Sequence, residues 1–481
     1  MLEKKHKEAI SVKSFYSDKL NEKATKIRKH ISEGDSSVWH FEKTIEKSTE
    51  QAALLDATPI DKRVSMPLWG LDYGVKDLFS MKGLPCTAGS KFLQNYIAPY
   101  NADVIDRIAA KGALAMGRTS MDEFAMGSFT NTSFLGRTSI PGFQDYTAGG
   151  SSGGSAGALR AELFDFTIGS DTGGSVRQPA AFCSLVGYKP SYGAFSRYGM
   201  IAYASSLDQA GFLTHTTQDM KYLIDSIDTN KDLKDPTTTG FTKNYQSKKI
   251  SDMTVGIFPE IFASDAISKE VKEAYQTKIG QFKDLGIECK EVSIGLLKDC
   301  ASIYYIIACA EASSNLARYQ GVFFGQSLIE NQSVSNEKDY WDMVAKHRSE
   351  YLGLEAQKRI ILGSYVLSSE KFDAIYKKAI NKRNELRQQI SDAFNTVDYL
   401  CLPTFPTKAP AWDEISKMTT QQIYMADYLT VGFSLAGVPA MSVPIHKGAF
   451  DINKTIGMQY VGKKMQDYQM ICDINEIEMS M

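Results

Sequence analysis

Apolar residues recur at three- and four-residue steps over Phe15, Leu20, Ala24, Ile27 and Ile31, with lysines between them. That spacing predicts an amphipathic helix, its apolar side packed on the body of the protein and its lysine-rich side in water. Gly34, Asp35 and Ser36 break the pattern. Residues 68–75 read as a strand that delivers Lys76 at its end. Residues 103–118 read as a short helix running into a strand of small residues, and 187–213 as short strands and turns. The polar stretch 225–244 reads as a surface excursion. Strand-like runs at 253–258 and 287–292 bracket a helical face of Val271, Tyr275, Ile279, Phe282 and Leu285, which predicts a βαβ unit. Residues 304–318 predict a mostly apolar helix with Glu311 and Asn315 on one face. From 321 to 359 the chain turns polar and aromatic, as an inserted helical segment would, and 372–394 predict a long charged helix. Further strands are expected at 397–402 and after the turn within 435–444, and no solenoid-length repeat occurs.

The stretch 147–179 fits none of these periods. It holds two Gly/Ser clusters, GGSSGGS (149–155) and GSDTGGS (169–175), separated by a mostly apolar run. A flexible linker is polar throughout, so the apolar run points to a built site. A serine after two glycines lets the backbone turn tightly and brings peptide N–H groups close to a bound carbonyl. Such donors stabilise the oxyanion of acyl transfer. A phosphate loop would need a lysine directly after its second glycine, and neither cluster has one.

Composition narrows the picture without changing it. The 481 residues are 43% apolar and 23% charged with a net charge of −2, which argues against a dominant nucleic-acid surface. Length alone would allow two or three domains. The seven cysteines are scattered, odd in number and without a CxxC pair, as expected in a reducing compartment. Neither the dispersed histidines nor any HExxH motif supports metal catalysis. No apolar run reaches membrane-spanning length, and MLEKKHKEAI lacks the apolar core of a secretion signal.

An activated serine needs a base. His215 is the histidine nearest the two clusters in sequence, and nothing selects it. A buried lysine can serve if desolvation leaves its amine neutral, which makes Lys76 the candidate. The acids Asp122 and Glu123, after Ser120, either cap a helix start or take another part in the site.

Taken together, GGSSGGS, GSDTGGSVRQPAAFCSLVGYKPSYG and the upstream lysine in GVKDLF resemble the amidase signature family. MDEFAMGS, GAFSRYGMIAYASSLDQAG, AEASSNLARYQG and LAGVPAMSVP narrow the resemblance to the A subunits of tRNA-dependent glutamyl/aspartyl amidotransferases. The resemblance implies one α/β domain over 1–481: a large mixed β-sheet sandwiched between helices. Within it would lie an N-terminal helical region (1–64), a catalytic core (65–215) and a helical insertion at about 320–395. Ser175 would be the nucleophile, Lys76 the neutral base and Ser151 the proton relay, with a cis Gly150–Ser151 peptide. The N–H groups of Thr172, Gly173, Gly174 and Ser175 would form the oxyanion hole. For glutamine, Arg359 would hold the α-carboxylate and Asp427 the α-amino group, helped by Tyr305 and Ser128. Whether Tyr304 or Tyr305 faces the substrate stays open, and Lys358 stands where the family usually shows a first arginine.

The same resemblance implies no cofactor and no metal on this chain. A B subunit would bind ATP and Mg2+ and convert mischarged Glu-tRNA(Gln) or Asp-tRNA(Asn), contacting most of the tRNA, and a small C subunit would clamp the two. No membrane is implied. The compartment implied is a bacterial cytoplasm, with a mitochondrion or plastid as the alternative. Two other readings use the same residues: a free-standing amidase acting on a small amide, and a catalytically idle scaffold, against which the intact Lys76, Ser151 and Ser175 speak.

Overall fold

The computed structural model describes residues 1–12, 14–39, 41–326, 337–446 and 448–481. Part of the expected insertion, 327–336, lies outside them. The strands among the described residues are β1 (Val38–Trp39), β2 (Asp72–Lys76), β3 (Leu114–Thr119), β4 (Ser139–Ile140), β5 (Phe143–Thr147), β6 (Phe166–Ser170), β7 (Val186–Lys189), β8 (Ala210–Thr214), β9 (Thr254–Ile257), β10 (Glu288–Glu291), β11 (Tyr399–Pro403), β12 (Ala440–Pro444) and β13 (Gly457–Val461). Eleven form one sheet in the order β1-β3-β2-β6-β8-β7-β12-β13-β11-β9-β10, and β4 pairs with β5 in a separate hairpin. The sheet is mixed. β3, β2 and β6 run parallel, as do β11, β9 and β10, while the pairs from β6 across to β11 are antiparallel.

Helices cover both faces, so the inner strands such as β2, β3, β6, β8 and β11 are buried on both sides and show no alternation of burial. Ala115 on β3 joins the main core, while its neighbours Leu114 and Met116 join a second cluster beneath the N-terminal helices. Edge strand β10 is short and carries Glu288, Lys290 and Glu291, charges that discourage pairing with another chain. The expected βαβ unit is present: β9 and β10 pair in parallel and are joined through the helix Lys269–Asp284. The excursion after residue 225 is pinned to the core by Phe241, whose ring lies 5.7 Å from that of Phe195. No described helix is long and apolar enough to cross a membrane.

The N-terminal helix, Phe15–Ser32, differs from expectation on both sides. Its buried row is Tyr16, Leu20, Ala24 and Ile27, while Ile31 is 37% exposed. Its lysines are not all solvated. Lys19 Nζ donates to Asp165 at 2.6 Å and lies 2.7 Å from Asp72, both carboxylates being buried in the body of the protein, and Lys23 lies 3.5 Å from Asp72. Strand β2 begins at Asp72, later than its apolar pattern, because residues 68–71 form a turn first. The long helix expected at 372–394 opens with a π-turn, Phe372–Lys377, before becoming α-helical over Lys378–Ala393.

Three helices converge on the carboxyl ends of β2 and β6. Cys300–Leu316 packs against both Leu354–Val366 and Tyr428–Ala436. They carry the two tyrosines, Arg359 and the segment after Asp427 to one place.

Candidate active site

Lys76 ends β2 with no solvent exposure. Its Nζ meets three serine hydroxyls: Ser151 and Ser152 at 2.8 Å and Ser170 at 2.9 Å. Ser170 ends the neighbouring strand β6, which runs parallel to β2, so both side chains arrive at the same edge of the sheet. Ser151 and Ser152 arrive from the loop before the helix Gly153–Arg160, and the Gly150–Ser151 peptide is cis. That helix lies so close to β3 that a Cβ on Gly154 would fall 2.3 Å from Ser120 N, which requires glycine there. Burial pushes the Lys76 amine down to about 7, against the upward pull of Asp122, Asp171 and Asp208.

The directions of these bonds carry information. Ser152 donates its proton to the Ser170 carbonyl at 3.2 Å, so it accepts from Lys76. A neutral amine has two protons and one lone pair, so one of the remaining hydroxyls donates to Nζ. Ser151 is free to be that donor.

The second Gly/Ser cluster forms a tight loop after β6. Asp171 and Arg177, both wholly buried, close its base: Asp171 accepts from Arg177 Nε and Nη2 at 2.9 Å and from the N–H groups of Val176 and Arg177 at 3.3 Å. Burial raises the Asp171 pKa, but the Arg177 charge outweighs it and the carboxyl is held below its usual range. Gly174 has φ +147°, and a Cβ on it would lie 2.4 Å from Thr430 Oγ1, so only glycine fits. Thr430 Oγ1 in turn donates to the Gly173 carbonyl at 2.5 Å. With the loop held from behind, the N–H groups of Thr172, Gly173, Gly174 and Ser175 donate to no group among the described residues. Four unspent donors in a row can receive a developing oxyanion. Ser175 is 9% exposed, whereas Ser151 and Ser152 have no exposure, so it is the serine a substrate can reach. Its hydroxyl makes no hydrogen bond among the described residues, and the expected contact with Ser151 is not formed. Such bonds are commonly loose before substrate binds.

Arg359 sits 4% exposed in the helix Leu354–Val366. Its Nε donates to Glu355 at 2.8 Å and Nη1 to the Tyr203 hydroxyl at 2.6 Å, while Nη2 has no partner among the described residues. Nη2 is therefore left to receive an anion, the Nε side being taken. The guanidinium lies 5.2 Å from the Tyr305 ring and 5.5 Å from that of Tyr424, and those two rings stack at 4.1 Å. Asp427 precedes the helix Tyr428–Ala436 and accepts from Ser128 Oγ at 2.6 Å. Desolvation pushes its carboxyl up to about 6, opposed by the Ser128 hydrogen bond and the Arg359 charge. Both tyrosines in question are at the site: Tyr305 under Arg359, and Tyr304 against Gly173, where a Cβ would lie 2.8 Å from its hydroxyl.

The Amidase family model matches residues 25–471. The chain belongs to the amidase signature family. It is 36% identical over 480 residues to the A subunit of glutamyl-tRNA(Gln) amidotransferase from Acinetobacter baumannii strain AYE, covering 98% of this chain and 94% of that one. To the corresponding protein of Methanosarcina barkeri it is 41% identical over 438 residues, 90% of this chain and 88% of that one. The crystal structure of the glutamyl-tRNA(Gln) amidotransferase A subunit from Thermotoga maritima superposes with a TM-score of 0.70 at 33% identity, covering 84% of this chain and 82% of that one.

Against this amidase fold, some residues at the site have no counterpart among the candidates chosen from sequence. Ser152 and Ser170 share Lys76, and both stood inside the Gly/Ser clusters. Tyr203, Glu355 and Tyr424 surround Arg359, and only Tyr203 lay in a motif already singled out. Asp122 makes no side-chain cap on the short helical turn Glu123–Ala125 that it precedes. Asp122 accepts instead from the N–H groups of Thr130, Asn131 and Thr132 at 2.8–3.2 Å, holding the loop that carries Ser128 beside the cis peptide. His215, just after β8, makes no hydrogen bond with any of these residues.

Proposed function

We propose that this chain is the glutamine-hydrolysing A subunit of a tRNA-dependent amidotransferase. The observation that carries the reading is the pairing of Arg359 and Asp427 beside the Ser175 loop. A cation and an anion flanking an acyl-transfer centre suit an α-amino acid zwitterion, and a simple amide needs neither. Relatives 36–41% identical over most of their length are A subunits of glutamyl-tRNA(Gln) amidotransferases and support it.

In the mechanism, glutamine binds with its α-carboxylate on the Nη edge of Arg359, its α-ammonium on Asp427, and Tyr305 and Ser128 against it. Neutral Lys76 takes the Ser151 hydroxyl proton as Ser151 takes that of Ser175. Ser175 Oγ attacks the side-chain carbonyl carbon, and the oxyanion takes the N–H groups of Thr172, Gly173, Gly174 and Ser175. The proton returns through Ser151 to the leaving nitrogen, the C–N bond breaks, and ammonia departs from a γ-glutamyl-Ser175 ester. Water, deprotonated by the same relay, then frees glutamate and restores the Ser175 hydroxyl. A B subunit holding ATP and Mg2+ would use the ammonia on Glu-tRNA(Gln) or Asp-tRNA(Asn), with a C subunit joining the two.

The test is glutamate release from glutamine against hydrolysis of simple primary amides, by this chain alone and with B and C subunits. Glutamine-selective release that rises with the partners is expected. Partner-independent hydrolysis of other amides, with glutamine ignored, would instead identify a free-standing amidase.

A further inference from the structure

Asp122 and its neighbour Glu123 serve opposite sides of the site. Glu123 is 3% exposed. Its Oε1 accepts from Ser90 Oγ at 2.5 Å, and its Oε2 accepts from the Gly353 N–H at 2.8 Å. Gly353 is the N-cap of the helix Leu354–Val366 and has no side chain with which to cap it. A Cβ on Gly353 would lie 2.4 Å from Glu123 Oε2, so glycine is what lets the helix end come down on the carboxylate. No cation pairs with Glu123 among the described residues. Burial pushes the Glu123 carboxyl up to about 7, opposed by its hydrogen bonds from Ser90 and from the Gly353 N–H at the helix start.

That helix carries Glu355 and Arg359 within about two turns of its start. Because Glu355 also grips Arg359 Nε, movement of the helix end carries both together. The contact ties three separate segments: the turn holding Ser90, the turn holding Asp122, and the helix holding Arg359. We propose that Glu123 is a positioning residue for the glutamine α-carboxylate, anchoring the N-terminus of the helix Leu354–Val366 and so fixing Arg359 relative to the Ser175 loop. This rests on the assignment of Arg359 to that carboxylate. The effect belongs to substrate binding, since Glu123 touches neither Lys76 nor any of the serines around it.

The experiment measures glutamine hydrolysis by the full chain with its partner subunits. Glu123→Ala is expected to raise KM for glutamine about tenfold, the loss of the buried hydrogen bond to the helix end, with kcat essentially unchanged. Gly353→Ala, which forces a Cβ onto the same carboxylate, shifts KM in the same direction and carries the test if the first variant does not fold. Glu123→Gln restores KM, because its carbonyl can accept from Gly353 and its amide can donate to Ser90. Arg359→Ala raises KM by itself, and adding Glu123→Ala raises it no further, since both act on one contact. Unchanged KM in both alanine variants, a fall in kcat alone, or independent effects of Glu123 and Arg359 would overturn the proposal. If Arg359→Ala leaves KM unchanged, the glutamine-pocket reading itself fails and the positioning role falls with it.

Discussion

At the scale of single residues, the proposed chemistry turns on a lysine with no solvent exposure. Lys76 is brought to about 7 by burial, so near neutral pH a large share of its amine is unprotonated and can accept a proton. In the proposed mechanism the neutral form is the active one, so glutaminase kcat is expected to rise with pH through about 7 and then level off. A pH profile at saturating glutamine checks this. Lys189 is the control. Burial first, then the Arg177 charge, pushes it to about 7 as well, but it donates to the Val438 and Pro190 carbonyls and meets no serine. Lys189→Met should therefore lower stability and keep the rising limb; a limb that disappears in that variant would contradict the assignment. The glycine clusters and the apolar strand end mark Lys76 and the two serine loops in the sequence, while the choice of Ser151 and Ser175 among their serines came from the family resemblance. Ser152 and Ser170 were not legible, because spacing does not say which of several neighbouring serines shares one amine. Glu355 and Tyr424 were illegible for another reason: each looks like an ordinary polar residue on a helix until distant segments fold onto Arg359.

At the scale of elements, the N-terminal helix shows what periodicity leaves out. Its apolar row was readable, but the row says nothing about where the opposite face lands. That face lies over Asp72 at the start of β2 and Asp165 just before β6, and Lys19 bridges the two carboxylates. Burial raises the Asp165 pKa, but Lys19, Lys23 and Lys5 outweigh it, and the carboxyl is held well below the usual range. A depressed carboxylate contributes stability above its unfolded pKa of about 3.9 and loses it as pH falls further. The clasp is therefore intact at neutral pH and fails in acid. Lys19→Met, which removes the bridging cation and leaves Asp165 to Lys5 and Asp72 to Lys23, should destabilise the chain by about 2 kcal/mol. Denaturant unfolding at pH 7 reads this, and a change below about 1 kcal/mol, the value of an exposed pair, would show that the bridge contributes little.

At the scale of the whole molecule, the βαβ unit and the strands near 72–76, 114–119, 399–403 and 440–444 were legible from local pattern, whereas β6 within the Gly/Ser stretch, β13 and the order of the sheet were not. β2 sits between β3 and β6, and β7 pairs with β12 from more than half the chain away. Those pairings depend on which faces bury together, and strands buried on both sides carry no alternation from which to read a partner. The order matters because it places Lys76 and Ser170 side by side and sets the three site helices over them. The proposed function rests on that convergence, and its central claim is that glutamine is hydrolysed at Ser175. The most direct measurement is glutamate release by the wild-type chain and by Ser175→Ala, each with its partner subunits at saturating glutamine. Release that falls to background in the variant, with its fold and assembly intact, is the expected result. Release that persists at the wild-type rate would contradict the account.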